Sequence, residues 1–208
     1  SYCKAADGTL PVTTDPYGTV SIIDVGGVKP SAATTINFEA FNDRATSLVF
    51  GGGRVFGPGA TLAQDLEPEY ITMSSDSKYA YVTLQENNAI ATIDMASKSV
   101  LAISGLNYKK HGDSNKGLDA ISDKAPLVVS QNVLGMYQPD AIAHMNVAGT
   151  NYLISANEGD VRGDWGAANN EEVRFGNASY IVDTAKFGGA AMVTAMKANT
   201  AMGRLNVT

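Results

Sequence analysis

The stretch Glu67-Pro68-Glu69-Tyr70-Ile71-Thr72, followed after a polar turn by Tyr79-Ala80-Tyr81-Val82-Thr83-Leu84-Gln85-Glu86-Asn87-Asn88, decides the fold, because the chain repeats it. Gln138-Pro139-Asp140-Ala141-Ile142-Ala143 is followed in the same way by Tyr152-Leu153-Ile154-Ser155-Ala156-Asn157-Glu158. The shared skeleton is proline, acid, any residue, isoleucine and a small residue, then a loop, then an aromatic-led strand ending in Asn and Glu. Pro139 lies 71 positions after Pro68. A second element, Gly18-Thr19-Val20-Ser21-Ile22-Ile23-Asp24, matches Asn88-Ala89-Ile90-Ala91-Thr92-Ile93-Asp94, with Asp94 70 positions after Asp24. Two independent parts of a unit recurring at nearly one spacing mark a repeat architecture.

The unit has a physical logic. Ile71 and Met73, Tyr79, Tyr81 and Thr83, Ile90 and Thr92, and Val100 and Ala102 alternate with period two in four short runs. Turn-forming stretches, Ser74-Ser75-Asp76-Ser77-Lys78 and Asn87-Asn88, separate them. This predicts one antiparallel four-stranded sheet over 67–74, 79–86, 89–95 and 99–103, with 139–145 and 152–158 opening the next. The expected fold is all-β: β-propeller blades, each a four-stranded antiparallel meander, with long inserted loops and one short helix. A lone blade leaves both faces partly apolar and has to stack on neighbours.

A period near 70 exceeds the roughly 40–50 residues of compact propeller repeats, so insertions are expected. The reading places blade remnants at about 14–28, 67–103 and 139–183, and insertions at about 29–64 and 107–137. In the first insertion Phe38, Phe41, Ala45, Leu48 and Val49 fall at helical spacing, with Asn37 as N-cap and Gly51 to Gly53 as terminator. About three blades fit in 208 residues, fewer than a propeller usually needs to close. An incomplete ring is therefore expected, completed by blades elsewhere in the same protein or by a partner chain.

Composition narrows the function. The chain is 44% hydrophobic and 17% charged, enough to bury a core and too apolar for disorder. The net charge of −6 argues against nucleic acid as a partner, since phosphate binding needs clustered Lys and Arg. No apolar run approaches the roughly 20 residues that span a bilayer, and Ser1-Tyr2-Cys3-Lys4 carries no apolar signal core. Any signal or anchor is expected outside these residues. Cys3 has no second cysteine to join, so it is a free thiol or pairs outside this segment.

Nucleophile and metal motifs are mostly absent: there is no Gly-x-Ser-x-Gly, His-Glu-x-x-His or Asp-x-Asp-x-Asp-Gly. His111 reads as a solvent-exposed loop residue and His144 as a satisfied strand histidine. The carboxylates are more informative. Glu67, Glu69 and Asp140 flank the first strand of two blades, and Glu86, Glu158 and Asp160 end the second. Equivalent positions in successive blades are expected to gather on one mouth of the propeller, Glu69 with Asp140 and Glu86 with Glu158. Gathered carboxylates repel unless a cation joins them, which makes Ca²⁺ the candidate cofactor. Pairing with Arg162, Arg174 or backbone amides, or simple solvation, stays open. Asn177-Ala178-Ser179 and Asn206-Val207-Thr208 fit the glycosylation pattern.

The motifs Asp15-Pro16-Tyr17-Gly18-Thr19, Arg54-Val55-Phe56-Gly57-Pro58-Gly59, Gln64-Asp65-Leu66-Glu67-Pro68, Leu84-Gln85-Glu86-Asn87-Asn88-Ala89, Gly135-Met136-Tyr137-Gln138-Pro139 and Ala156-Asn157-Glu158-Gly159-Asp160 resemble the choice-of-anchor I family of bacterial secreted proteins. That family is related to the mesenchyme-specific cell-surface glycoproteins, and the strand pattern is similar to Tyr-Val-Thr-Asn propeller repeats. The resemblance runs from about Thr14 to the C-terminus. It implies an extracellular, secreted or cell-surface propeller with blades beyond this region. Some relatives carry the label alkaline phosphatase, but no catalytic residues map onto this chain, and the loop at Ile121 departs from the family's acidic spacing. Two functions remain: a binding or structural module, cation-dependent, facing a cell-surface glycan or protein; or a secreted metal-dependent phosphoesterase.

Overall fold

The computed structural model describes residues 16–57, 59–121, 123, 125–163 and 170–208. Cys3, the start of the first blade remnant at residues 14 and 15, and Pro58 lie outside the described residues. In chain order the strands are β1 (Thr19–Ile22), β2 (Thr34–Asn37), β3 (Pro68–Met73), β4 (Tyr79–Leu84), β5 (Ala89–Asp94), β6 (Ser99–Gly105), β7 (Lys109–Lys110), β8 (Leu134–Gly135), β9 (Pro139–Val147), β10 (Thr150–Asn157), β11 (Val173–Arg174) and β12 (Asn206–Val207). The helices are a 3₁₀ turn at Glu39–Arg44, then α1 (Ala45–Phe50), α2 (Leu62–Asp65) and α3 (Ala190–Met196).

The fold is mostly β, in small antiparallel sheets, as the repeat predicts. Strands β3-β4-β5-β6 form a four-stranded meander in sequence order, which is the expected blade. Strands β9 and β10 form the expected hairpin of the next unit, with Tyr152 opposite Met145. β9 packs against β3 and β4. Strand β1 pairs with β2 through Val20 opposite Ile36. Thr34–Asn37 thus forms a strand inside the stretch 29–64. By the repeat, β1 and β2 correspond to the two outer strands, β5 and β6, of the following unit. The recurring aspartates have a local cause: each ends a strand by accepting from an amide two residues on. Gly26 N–H donates to Asp24 at 2.8 Å and Ala96 N–H to Asp94 at 2.9 Å.

The core lies against one face of the meander. Ala80, Val82 and Leu84 of β4 and Ala89, Ala91 and Ile93 of β5 point into it with strict alternation, joined by Val20, Ile36, Phe38, Phe41, Leu48, Leu62 and Leu66. The expected runs Tyr79–Tyr81–Thr83 and Ile90–Thr92 mark the opposite face. That face is covered in part: Tyr81 stacks on His144 of β9 with ring centroids 5.8 Å apart. The meander is thus packed on one face by the main core and on part of the other by β9, while Ile71 and Leu101 stay exposed.

The expected helix over Asn37 to Val49 is corrected in one respect. Its apolar face is as predicted, with Phe38, Phe41 and Leu48 buried. It starts later, however, and is broken into the 3₁₀ turn and α1. Asn37 belongs to β2, whose ladder with β1 holds it extended, although its side chain still accepts from Glu39 N–H at 3.2 Å. The glycine stop holds: Gly51, Gly52 and Gly53 N–H donate to the carbonyls of Ser47, Val49 and Leu48.

The chain divides into two compact units, Ser1–Tyr108 with Met136–Val161, and Lys109–Gly135 with Arg162–Thr208. The first contains the sheets just described. The second contains the β7–β8 and β11–β12 pairs, a bridge between Leu118 and Val129, and α3. His111, expected to be solvent-exposed, is instead half-buried in the second unit, and its Nδ1 lies 2.7 Å from the Lys116 carbonyl, closing a turn.

Candidate functional site

The site is built on two bulges. In the β3–β4 ladder Pro68 pairs with Leu84 and Ile71 with Val82, so Glu69 and Tyr70 together oppose Thr83. In the β9–β10 ladder Pro139 pairs with Asn157 and Ala141 with Ala156, which leaves Asp140 as an extra residue. Each bulge follows the repeated proline, which has no ladder N–H to offer. A bulge re-aims its side chains, so alternation no longer sets where Glu69 faces relative to Glu67.

Thr83 ties the two bulges together. Its buried hydroxyl accepts from Tyr70 N–H at 2.9 Å and donates to the Asp140 carbonyl at 2.9 Å. This brings the acidic position of one unit beside that of the next, as the 71-residue spacing predicts.

The electrostatic consequence falls on Glu69, whose pKa is raised from 4.5 to about 7. Partial loss of water is the largest cause, followed by the charges of Glu86, Asp140, Asp160 and Glu67. Glu69 as a whole remains exposed, so solvent screens part of this repulsion and the shift does not translate into a full-strength penalty. Because the folded-state pKa lies above the unfolded one, the proton on Glu69 favours the fold fully below about pH 4.5. That contribution disappears as the pH rises through about 7.

Four of the six candidate residues, Glu67, Glu86, Asp140 and Asp160, thus act on a fifth, Glu69. Glu158 stands slightly apart. The two ladders place it where Gln85 stands in the preceding unit, not where Glu86 stands. Its carboxylate accepts from Gln85 Nε2 at 3.4 Å. Gln138, buried at the foot of β9, donates from Nε2 to the Asp160 carbonyl at 2.5 Å and fixes that loop. Among the described residues no group of three or more His, Cys, Asp or Glu side chains stands ready to hold a metal ion. The carboxylates share a field rather than a closed coordination shell. The reading of His144 as a satisfied strand histidine holds, with Nε2 3.2 Å from Asn151 Oδ1.

The polar frame beneath the rim escaped the sequence reading. Asn87 and Asn88, taken as a turn, are fully buried. Asn88 donates to the carbonyls of Gly52 and Asn107 at 2.8 and 2.9 Å, and accepts from Tyr137 and Gln138 N–H at 2.9 and 3.0 Å. Asn87 Nδ2 donates to Asp65 Oδ2 at 2.8 Å and to the Arg54 carbonyl at 3.0 Å. Asp65 in turn accepts from Gly57 N–H at 2.5 Å and Phe56 N–H at 3.1 Å. The family-like motifs Arg54 to Gly57, Gln64 to Pro68 and Gly135 to Pro139 are therefore the segments that this network joins.

Fold and rim together define a class of protein: a β-rich module of stacked antiparallel units with an acidic face. The family model of the choice-of-anchor I domain matches residues 5–208, and the chain belongs to that family. Membership makes it a domain of a cell-surface-associated or secreted protein. No described helix is long and apolar enough to cross a membrane. Comparison with curated proteins and with solved structures finds no match.

Proposed function

We propose that the chain is a set of β-propeller blades in an extracellular binding module, and that the rim around Glu69 is its binding face. A cation of the Ca²⁺ type occupies it, bridging the module to a glycan or protein at the cell surface. The observation that carries this reading is the convergence of Glu86, Asp140, Asp160 and Glu67 on Glu69 from two successive units. A fold that gathers like charges at one place sacrifices stability as they ionise together. A hard cation removes that cost, with carbonyls, water or the partner's oxygens completing its shell. No observation favours the phosphoesterase reading.

Thermal melting of the full-length protein at pH 8 tests it. Millimolar calcium is expected to raise Tm over excess chelator, by mass action on the folded state. At 100 times Kd the gain is about 2.7 kcal/mol. The double variant Glu69→Gln with Asp140→Asn should lose the calcium response and melt higher than the parent in chelator. Coincident parent curves, with the variant unchanged in chelator, would leave the rim as mere acidic surface.

A further inference from the structure

We propose that the free edge of β6 is a strand-addition site for an extended, acidic peptide segment. Strand β6 ends the β3-β4-β5-β6 sheet and, among the described residues, has a hydrogen-bonded neighbour strand, β5, on one side alone. Two clefts, of about 500 and 240 Å³, follow its other side. The larger is lined by all five residues from Leu101 to Gly105, and the smaller by Lys98, Ser99 and Val100. Side chains of a strand alternate between faces, so a cleft lined by consecutive residues runs along the main-chain edge. The opposite wall of the larger cleft is the 3₁₀ turn and α1, that of the smaller is β2 at Thr35 to Asn37 with the 3₁₀ turn, and Phe41 lines both clefts. A trough between a sheet edge and a helical wall is the geometry in which an incoming strand pairs with main-chain groups on one side and seats side chains on the other.

Charge selects the occupant. Arg44 lines the larger cleft and Lys98 the smaller, and among the described residues no Asp or Glu lines either, in a chain whose net charge is −6. The Arg44 guanidinium sits 5.1 Å from the centroid of the Phe41 ring. That contact orients it while its five donors remain available for a carboxylate. The edge is also guarded. Ala102 pairs with Thr92 and Val100 with Ile93, leaving Leu101 as a bulge, and Lys98 stands at the strand's start. A bulge and an edge lysine deter indiscriminate pairing. The same two cations favour a strand that brings acidic side chains to them.

The test is an NMR titration of the full chain with an alternating Thr/Val octapeptide carrying two glutamates. Controls are the same peptide with lysines for glutamates, and the glutamate peptide N-methylated at alternate amides. Shifts are expected at the Val100 to Ser104 amides. Affinity should fall roughly 5-fold for the lysine peptide, as two exposed charge pairs are lost and reversed. The N-methylated peptide should not bind. Arg44→Glu, an exposed change that leaves Lys98 in place, should abolish the preference between the charged peptides. Shifts confined to the Glu69 rim, equal affinity for both charged peptides, no shifts with any peptide, or self-pairing of β6 as a dimer in sedimentation would each overturn the proposal.

Discussion

Replacing Asn88 with alanine is expected to lower unfolding stability by about 4 kcal/mol, from chemical denaturation of the full chain. The four groups it serves, two carbonyls and two N–H, lie in three segments remote in sequence. Alanine leaves them without that partner in a buried place, each at a cost of about 1–3 kcal/mol before relaxation and water reduce the sum. Asn88 also has a φ of 49°, a left-handed conformation that asparagine tolerates and alanine resists. Asn88→Gly separates the two effects, because glycine accepts that φ freely. If the network is what matters, Asn88→Gly loses most of what Asn88→Ala loses. Near-parental stability of the glycine variant would mean that backbone conformation, not hydrogen bonding, selects asparagine here.

Phe38→Ala is expected to cost about 3–5 kcal/mol, the range for a fully buried aromatic ring whose removal leaves a cavity. Phe38 lies between β2 and the 3₁₀ turn, in the cluster that covers the alanines, valine and leucine of β4 and β5. Three members of that cluster, Ala80, Ala89 and Ala91, are small and offer little volume to close the gap. A loss below about 1 kcal/mol would show that this insertion is peripheral to the blade.

The fold was legible where two periodicities coincided. The 70–71 spacing located β1, β3, β4, β5, β9 and β10, because each carries the alternation or the punctuation of a blade strand. Which face of the meander meets the main core was not legible: Tyr81 and Thr83 read as apolar as Ala80 and Val82. Only the bulk of Phe38, Phe41 and Leu66 on one side, and His144 on the other, distinguishes the faces. The helix start was misplaced because Asn37 is a good cap by type, while the β1–β2 ladder claims its backbone.

The gathering of acids near Glu69 was legible in the repeat. The bulges were not, since one extra residue in a ladder leaves no mark on a period-two pattern. Residue type matches Glu158 to Glu86, whereas the ladders, like the 73-residue step from Tyr79 to Tyr152, set it against Gln85. The Asp65–Asn87 link and the Asn88 clamp were invisible because Asn-Asn in a polar run suggests an exposed turn. The hints were a left-handed-tolerant residue lying just before an apolar strand, and the place of Asn87 and Asn88 in a family-like motif.

The most direct measurement is the ionisation of Glu69 itself, followed by carbon-detected NMR of its side-chain carboxyl in the full chain between pH 3 and 9. The account predicts a midpoint of about 7 without divalent cations. Calcium should draw it back toward the ordinary carboxylate range, since a neighbouring cation favours the ionised form. Glu86→Gln or Asp140→Asn should lower it without calcium. A midpoint near 4.5 in the parent, indifferent to calcium and to both substitutions, would contradict the convergence of charge on which the proposed binding face rests.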